Sequence, residues 1–244
     1  MQIRRVRKRA LEQRLKRFGR HAAIVARPLR STDADGGRAA VTEELGVFPL
    51  GIVLVPTERV PLHIFEPRYQ DLVSDCLDHD REFGLIFEDD DGMRSVGTRA
   101  SVVDVIDRFD DGRLNIAVEG RDRFRVITET SGRTFRTAHV ERVEDDGRVS
   151  ERPARERALE LYRALGRAVE TEIEEPDTDS GVLSFELAAR VDFGTERKQE
   201  LLELCSEPDR LDVVSKLLER AAEAITLEQA LSRRASTNGS GLNH

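Results

Sequence analysis

The spacing of the apolar residues changes near residue 148, and this change most constrains the fold. Before it, apolar and polar side chains alternate, as at Leu114, Ile116 and Val118. After it, apolar residues recur every three or four positions, as at Leu161 and Leu165. Alternation is typical of half-buried strands, and the longer spacing is typical of amphipathic helices. The sequence therefore predicts an α+β protein with a β-rich part followed by a helical part.

The β-rich part is predicted to span residues 45–147. Short apolar runs are separated by turn clusters, and Asp110-Asp111-Gly112 predicts a hairpin because Asp-Gly accepts the positive φ of such turns. Gly120 is interpreted as a bulge or corner between two strands. Five or six short strands with regular turns favour a small barrel or closed sheet.

One helix interrupts the strands. Pro67 suits a first helical turn, and an apolar stripe runs from Tyr69 to Leu77 at helical spacing. Cys76 lies within the stripe, so it is interpreted as a packed side chain rather than a reactive thiol.

The helical part is predicted to span residues 148–234. Pro153 fits the first turn of one helix, Gly194 is a plausible end of a second, and Thr195 can cap a third. Residues 235–244 contain two glycines and no apolar cluster, so a disordered tail is expected.

Residues 1–44 form a basic arm without an apolar pattern. The first 30 residues hold eleven Arg or Lys and one acidic residue, whereas residues 31–244 hold 28 basic and 46 acidic side chains, a net charge of −18. One interpretation is a disordered tail that binds anions such as nucleic acid, because like charges repel. The other is a start-site artefact, with Val41 as the true first residue.

Motifs of enzymes and metal sites are absent from the sequence. It contains no phosphate-binding loop, dinucleotide fingerprint, nucleophile elbow or metal-spaced Cys or His pair. Lys198 and Lys216, the two lysines outside the arm, are expected on solvated helix faces, unlike a desolvated catalytic lysine. We therefore expect no enzyme activity, no cofactor and no metal.

The compartment is predicted from the cysteines and the apolar runs. The two cysteines are 129 residues apart, which does not make a disulfide framework. No apolar run approaches the roughly 18 residues of a membrane span. We expect reduced thiols, a cytoplasmic location and no membrane partner.

Three segments together carry a family resemblance. Residues 47–56 read VFPLGIVLVP, residues 62–69 read LHIFEPRY, and residues 119–126 read EGRDRFRV. In this order they resemble the N-terminal substrate-binding domain of the Lon protease family. The resemblance covers about residues 45–230 and implies a PUA-like β-barrel followed by a helical bundle.

The resemblance also implies a function. Lon proteases carry an ATPase module and a Ser-Lys peptidase domain after this region, and this chain ends where they would begin. It is thus similar to the stand-alone Lon N-domain proteins of bacteria. The implied role is non-catalytic recognition of exposed or unfolded polypeptide, as a substrate-recognition or adaptor module that can work with a protease.

His63, Phe65 and Arg68 are the candidate binding residues within this resemblance. Their segment also has a purely structural interpretation, since Glu66 suits the positive end of a helix and Pro67 fixes its first turn. Both interpretations remain open from the sequence.

Two other function classes are weighed against polypeptide binding. PUA-like folds that bind RNA and the basic arm favour a nucleic-acid binder, but the acidic body opposes phosphate contacts. A small-molecule sensor or uncharacterised enzyme would use the barrel mouth, although the sequence offers no convergent acid, base or nucleophile.

Overall fold

The computed structural model describes residues 42–239, so most of the predicted arm and residues 240–244 of the predicted tail lie outside them. The strands are β1 (Glu43–Leu50), β2 (Arg59–Ile64), β3 (Phe83–Asp89), β4 (Gly92–Met93), β5 (Val96–Arg108), β6 (Leu114–Thr130) and β7 (Thr137–Arg142). The helices are α1 (Pro67–His79), α2 (Arg152–Ala168), α3 (Leu183–Arg190), α4 (Thr195–Glu203) and α5 (Glu207–Gly239). A mostly antiparallel sheet and several helices confirm the predicted combination of strand-rich and helical parts.

The sheet closes on itself. Its order is β1-β7-β6-β5-β3-β4, and parallel pairing of β1 with β3 joins the two sides of this path. Strand β6 is central because its first half pairs with β2 and its second half with β7, while β5 lies along its other side. The long β5–β6 hairpin is therefore the central element of the β part.

Strand β6 confirms a bulge at Gly120 but not a break between two strands. The sequence suggested two strands with a bulge or corner between them, and β6 runs through this position as one strand. The bulge follows Gly120 in β6, because the two steps from Thr98 to Ala100 on β5 face the three steps from Gly120 to Arg123. Gly120 also allows a close approach, because a Cβ there would stand 2.2 Å from the carbonyl oxygen of Val55.

Helix α1 begins and ends where the sequence predicts. Pro67 occupies the first turn and Asp80 terminates the helix in the left-handed conformation. The buried stripe includes Cys76, and burial raises the pKa of its thiol to about 11. The interpretation of Cys76 as a packed side chain is confirmed.

The later helices show small differences at their ends. Pro153 lies in the first turn of α2 as predicted. Helix α3 ends at Arg190, and Gly194 at φ 83° immediately precedes α4, so the glycine serves the start of a helix rather than the end of one. Helix α5 continues to Gly239, past residue 235, where the sequence placed the tail. No helix in the described part is long and apolar enough to cross a membrane.

The helices pack against the β part through a shared apolar cluster. Val53, Val55 and Val96 from the β part lie in the same cluster as buried residues of α2 to α5. A second cluster fills the sheet beneath α1. The helical part is thus anchored on residues of the β part.

Buried charges connect the same two parts. Arg123 of β6 donates to the carbonyl oxygens of Leu202 and Leu204 and pairs with Asp145, which also binds Arg210 of α5. Burial opposes the charge of Asp145, but hydrogen bonds and the positive charge of Arg210, together with Arg123, outweigh it and lower the pKa of Asp145.

The prediction that Lys198 lies on a solvated face is wrong. Its side chain is buried, and its Nζ lies 2.6 Å from Oε1 of Glu58 in the segment before β2. The polar face of α4 packs on the β part, so this charge is paired within the protein. Lys216 does lie exposed, paired with Asp212 one turn earlier.

Candidate functional site

The three candidate residues lie where β2 passes into α1. His63 is on the outer face of β2, Phe65 follows the strand, and Arg68 is in the first turn of α1. All three are exposed, and the Phe65 side chain is 61% exposed. Successive side chains of β2 point to opposite faces of the sheet. Val60 and Ile64 face the core, so His63 faces outward.

His63 is held in place by polar side chains across three strands. Asn115 lies opposite His63 on β6, and Asp107 lies opposite Asn115 on β5. The His63 ring donates from Nδ1 to Oδ1 of Asn115 at 2.7 Å, and Nδ2 of Asn115 donates to Oδ2 of Asp107 at 2.8 Å. This chain of donors places the ring proton of neutral His63 on Nδ1.

An aromatic cluster surrounds this histidine, formed by His63, Phe65 and Phe109. The His63 ring stacks on Phe65 at a centroid distance of 5.9 Å and meets the edge of Phe109 at 6.2 Å. Phe109 lies at the tip of the β5–β6 hairpin and is 40% exposed. Phe109 is not among the candidates predicted from the sequence, although an aromatic residue directly before Asp-Asp-Gly indicates an exposed hairpin tip.

Arg68 contacts residues outside the aromatic cluster. Its Nε donates to Oε2 of Glu66 at 2.9 Å, and its guanidinium lies 4.5 Å from the centre of the Tyr69 ring. Burial raises the pKa of Tyr69, and the positive charge of Arg68 partly offsets the rise. The structure therefore brings His63 and Phe65 together, while Arg68 flanks them on the helix.

Gln70 fixes the position of both loops in the cluster. Its Nε2 donates to the carbonyl oxygen of Phe65 at 3.1 Å. Its Oε1 also lies at the hairpin tip, 2.9 Å from where a Cβ of Gly112 would be, and Gly112 has φ 86°. The first turn of α1 thus holds the ends of two loops side by side.

This surface presents aromatic rings and hydrogen-bonded polar side chains, and the His63 ring proton is directed to an amide oxygen. Among residues 42–239, no group of three or more His, Cys, Asp or Glu side chains is arranged to hold a metal ion.

The closed sheet and the helices packed on it define a protein of the α+β class. A family model described as the ATP-dependent protease La (LON) substrate-binding domain matches residues 44–220. The chain belongs to this family, as the three sequence segments indicated.

Curated relatives include Lon protease 1 of Hydrogenovibrio crunogenus, which is 26% identical over 200 residues. The match covers 75% of this chain and 24% of that protease. Lon protease of Escherichia coli strain K12 is 24% identical over 209 residues, with 78% and 26% covered. The chain thus spans about a quarter of the length of these relatives.

Two solved structures share the fold. A Lon N-terminal domain protein from Xanthomonas campestris has a TM-score of 0.56 and 26% identity, covering 70% of this chain and 95% of that one. The N-terminal domain of Mycobacterium avium complex Lon protease has a TM-score of 0.54 and 17% identity, covering 72% and 98%.

Proposed function

We propose that this protein binds exposed or unfolded polypeptide through the aromatic cluster of His63, Phe65 and Phe109. The observation that carries the proposal is the placement of two exposed phenylalanines in contact with His63, in a family named for substrate binding. Apolar side chains are buried in folded proteins and become available when a chain unfolds. A surface aromatic cluster therefore favours unfolded clients.

Hydrogen bonds within the surface support this role. They join the His63 ring to Asn115 and the Phe65 backbone to Gln70, so both are positioned before a partner arrives. Ordered aromatic side chains lose little conformational entropy on binding, which makes them efficient anchors.

The proposal also covers the two parts of the chain, its compartment and the absence of catalysis. We infer a PUA-like β part at residues 45–147 and a helical bundle at residues 148–234, acting in the cytoplasm without catalysis. The closed sheet supports the first assignment, and the shared cluster of α2 to α5 supports the second. The family match supports a role as an adaptor that delivers clients to a protease.

A binding assay tests the proposal directly. Fluorescence anisotropy would measure binding to a labelled, reduced and carboxymethylated model protein that cannot fold. We expect the double variant Phe65→Ala and Phe109→Ala to bind at least tenfold more weakly, because each ring supplies buried area.

The matched control removes equally exposed apolar side chains elsewhere. Ile127 and Leu227 are 51% and 62% exposed, on β6 and α5 respectively. Ile127→Ala and Leu227→Ala together are expected to leave the affinity unchanged. No binding by the wild type, or equal losses in both double variants, would contradict the proposal.

Nucleic-acid binding is tested by removing the arm. The charge distribution makes residues 1–30 the basic element and leaves the remainder at −18. Deletion of residues 1–40 is expected to abolish any salt-sensitive binding of single-stranded RNA and to leave polypeptide binding intact. RNA binding that persists without the arm would favour the nucleic-acid alternative.

A further inference from the structure

Strand β2 has an open edge beside the aromatic cluster. In the part of the chain that the structure describes, β2 pairs with β6 on one side and with no strand on the other. An unpaired strand edge presents backbone groups that can pair with another extended chain. The question is which groups of β2 face that edge.

The pairing with β6 determines which groups of β2 face the open edge. Continuing the β2–β6 register by one residue places Glu58 opposite Gly120, and the N–H of Gly120 donates to the carbonyl oxygen of Glu58 at 2.9 Å. Residues that bond to the partner strand alternate with residues that do not. Arg59, Pro61 and His63 therefore direct their backbone groups away from β6. Pro61 fits this phase because it has no N–H to donate.

The His63 side chain supports the same phase. Side chains approach more closely in the pairs that lack backbone hydrogen bonds. The distance of 2.7 Å between His63 and Asn115 agrees with such a pair. The open edge thus offers two N–H groups, at Arg59 and His63, and three carbonyl groups.

We propose that the bound polypeptide adds to β2 as an extended strand, hydrogen-bonded to Arg59 and His63. This inference rests on the proposed function and specifies the partner, an extended segment with an apolar side chain opposite His63. That side chain would lie on the outer face, next to Phe65 and Phe109, since residues paired across strands share a face.

Pro61 limits this pairing. It interrupts the row of donors in the middle of the edge, as prolines do on edge strands that resist uncontrolled association. The protein therefore binds extended segments weakly through the backbone and depends on the aromatic cluster for the rest. This division suits a module that must release its clients.

A peptide with single N-methyl groups tests the backbone contacts. The probe is the tightest-binding ten-residue peptide from a tiled array of the carboxymethylated model protein. N-methylation at the amides that face β2 is expected to weaken binding at least tenfold, and at the intervening amides to have no effect. The losses should therefore recur every second residue.

The variant Pro61→Ala provides a gain of function. It supplies the missing outward N–H, so the peptide is expected to bind about threefold to tenfold more tightly, the effect of one added hydrogen bond. Pro153→Ala, at an exposed position in the first turn of α2, is the matched control, with unchanged affinity. Thermal unfolding of both variants checks that they are folded.

The outcomes separate the two proposals. If the peptide binds but N-methylation shows no alternation and Pro61→Ala gives no gain, strand addition is overturned and the proposed function stands. If the unmodified peptide and the model protein do not bind, both are overturned. A dimer in light scattering whose β2 amides are protected from hydrogen exchange without peptide would assign the edge to a second copy and overturn strand addition.

Discussion

Gly120 shows how a single residue can position the loop before the candidate site. Its N–H donates to Glu58, and its carbonyl oxygen accepts from the N–H of Thr57 at 2.9 Å. The backbone of Val55 packs where a side chain would be. The segment leading into β2 is therefore held against β6 by a contact that requires glycine.

Gly120→Ala is expected to lower the free energy of unfolding by about 1–3 kcal/mol, because the added methyl group collides with a backbone oxygen that cannot easily move. Urea denaturation measures the change. Gly51→Ala is the control, since a Cβ at Gly51 meets nothing within 4 Å. Equal stability of the two variants would show that the loop is free to shift.

Asp145 illustrates a second residue-scale effect, because one carboxylate serves two buried arginines. Asp145→Asn leaves Arg123 and Arg210 without their shared negative charge, and Arg210 is 0% exposed. We expect a loss of about 1–3 kcal/mol in urea denaturation, because both guanidinium groups are buried whereas Asp145 is partly exposed and Arg210 keeps its pair with Glu207. Asp146→Asn, on an exposed neighbour paired with Arg148, should leave the denaturation midpoint unchanged.

The lowered pKa of Asp145 also predicts a pH dependence. A carboxyl group whose pKa is lower in the folded state stabilises the protein at pH values above its unfolded pKa of about 3.9. That stabilisation is lost as the pH falls through the folded pKa. Thermal unfolding between pH 7 and pH 2 should therefore show a steeper loss for the wild type than for Asp145→Asn. Parallel curves would exclude this linkage.

At the scale of elements, α4 is attached to the β part by an ion pair as well as by apolar contacts. Lys198 and Glu58 are both buried, and Glu58 also accepts from the N–H of Val55. Gln199 on the same helix donates to the carbonyl oxygen of Val96 at 3.2 Å. The polar face of this helix is thus an interface.

Lys198→Met is expected to destabilise the protein by about 3 kcal/mol, because it leaves the Glu58 carboxylate buried without its cation. Adding Glu58→Gln removes the buried negative charge of Glu58 and should recover part of the lost stability. A double-mutant cycle in urea measures the coupling. Additive effects of the two changes would indicate that the pair does not anchor α4.

Local patterns predicted the elements whose signals lie within a few residues. Pro67 and the stripe after it located α1, and Asp-Asp-Gly located the β5–β6 hairpin. The burial of Lys198 was not predictable, because a lysine on a polar helix face gives no sign that another element covers it. The role of Phe109 was not predictable, because Phe109 and His63 are 46 residues apart in the chain and only the fold brings them into contact.

At the scale of the whole molecule, the β part and the helical part share one interior. The apolar cluster of α2 to α5 includes Val53, Val55 and Val96, and the charges of Arg123 and Lys198 cross the same boundary. Neither predicted part encloses all of its buried groups alone. The division at residue 147 therefore separates two types of structure, and we expect it not to separate two folding units.

This predicts cooperative unfolding of residues 42–239. Urea denaturation followed by far-ultraviolet circular dichroism and by tyrosine fluorescence should give coincident curves, as expected of a two-state transition. Tyr69 reports on the β part and Tyr162 on the helical part, and both are buried. Tyr69→Phe and Tyr162→Phe variants isolate the two signals.

Fragments provide the complementary measurement. Residues 148–239 expressed alone would expose the apolar surface that covers Val53, Val55 and Val96. They would also lose Glu58, the partner of Lys198, and Asp145, one of the partners of Arg210. We expect this fragment to show poor dispersion in its amide nuclear magnetic resonance spectrum and a broad thermal transition. A sharp transition and a dispersed spectrum would instead establish the helical part as an independent domain, and the shared cluster would then be an interface between two domains.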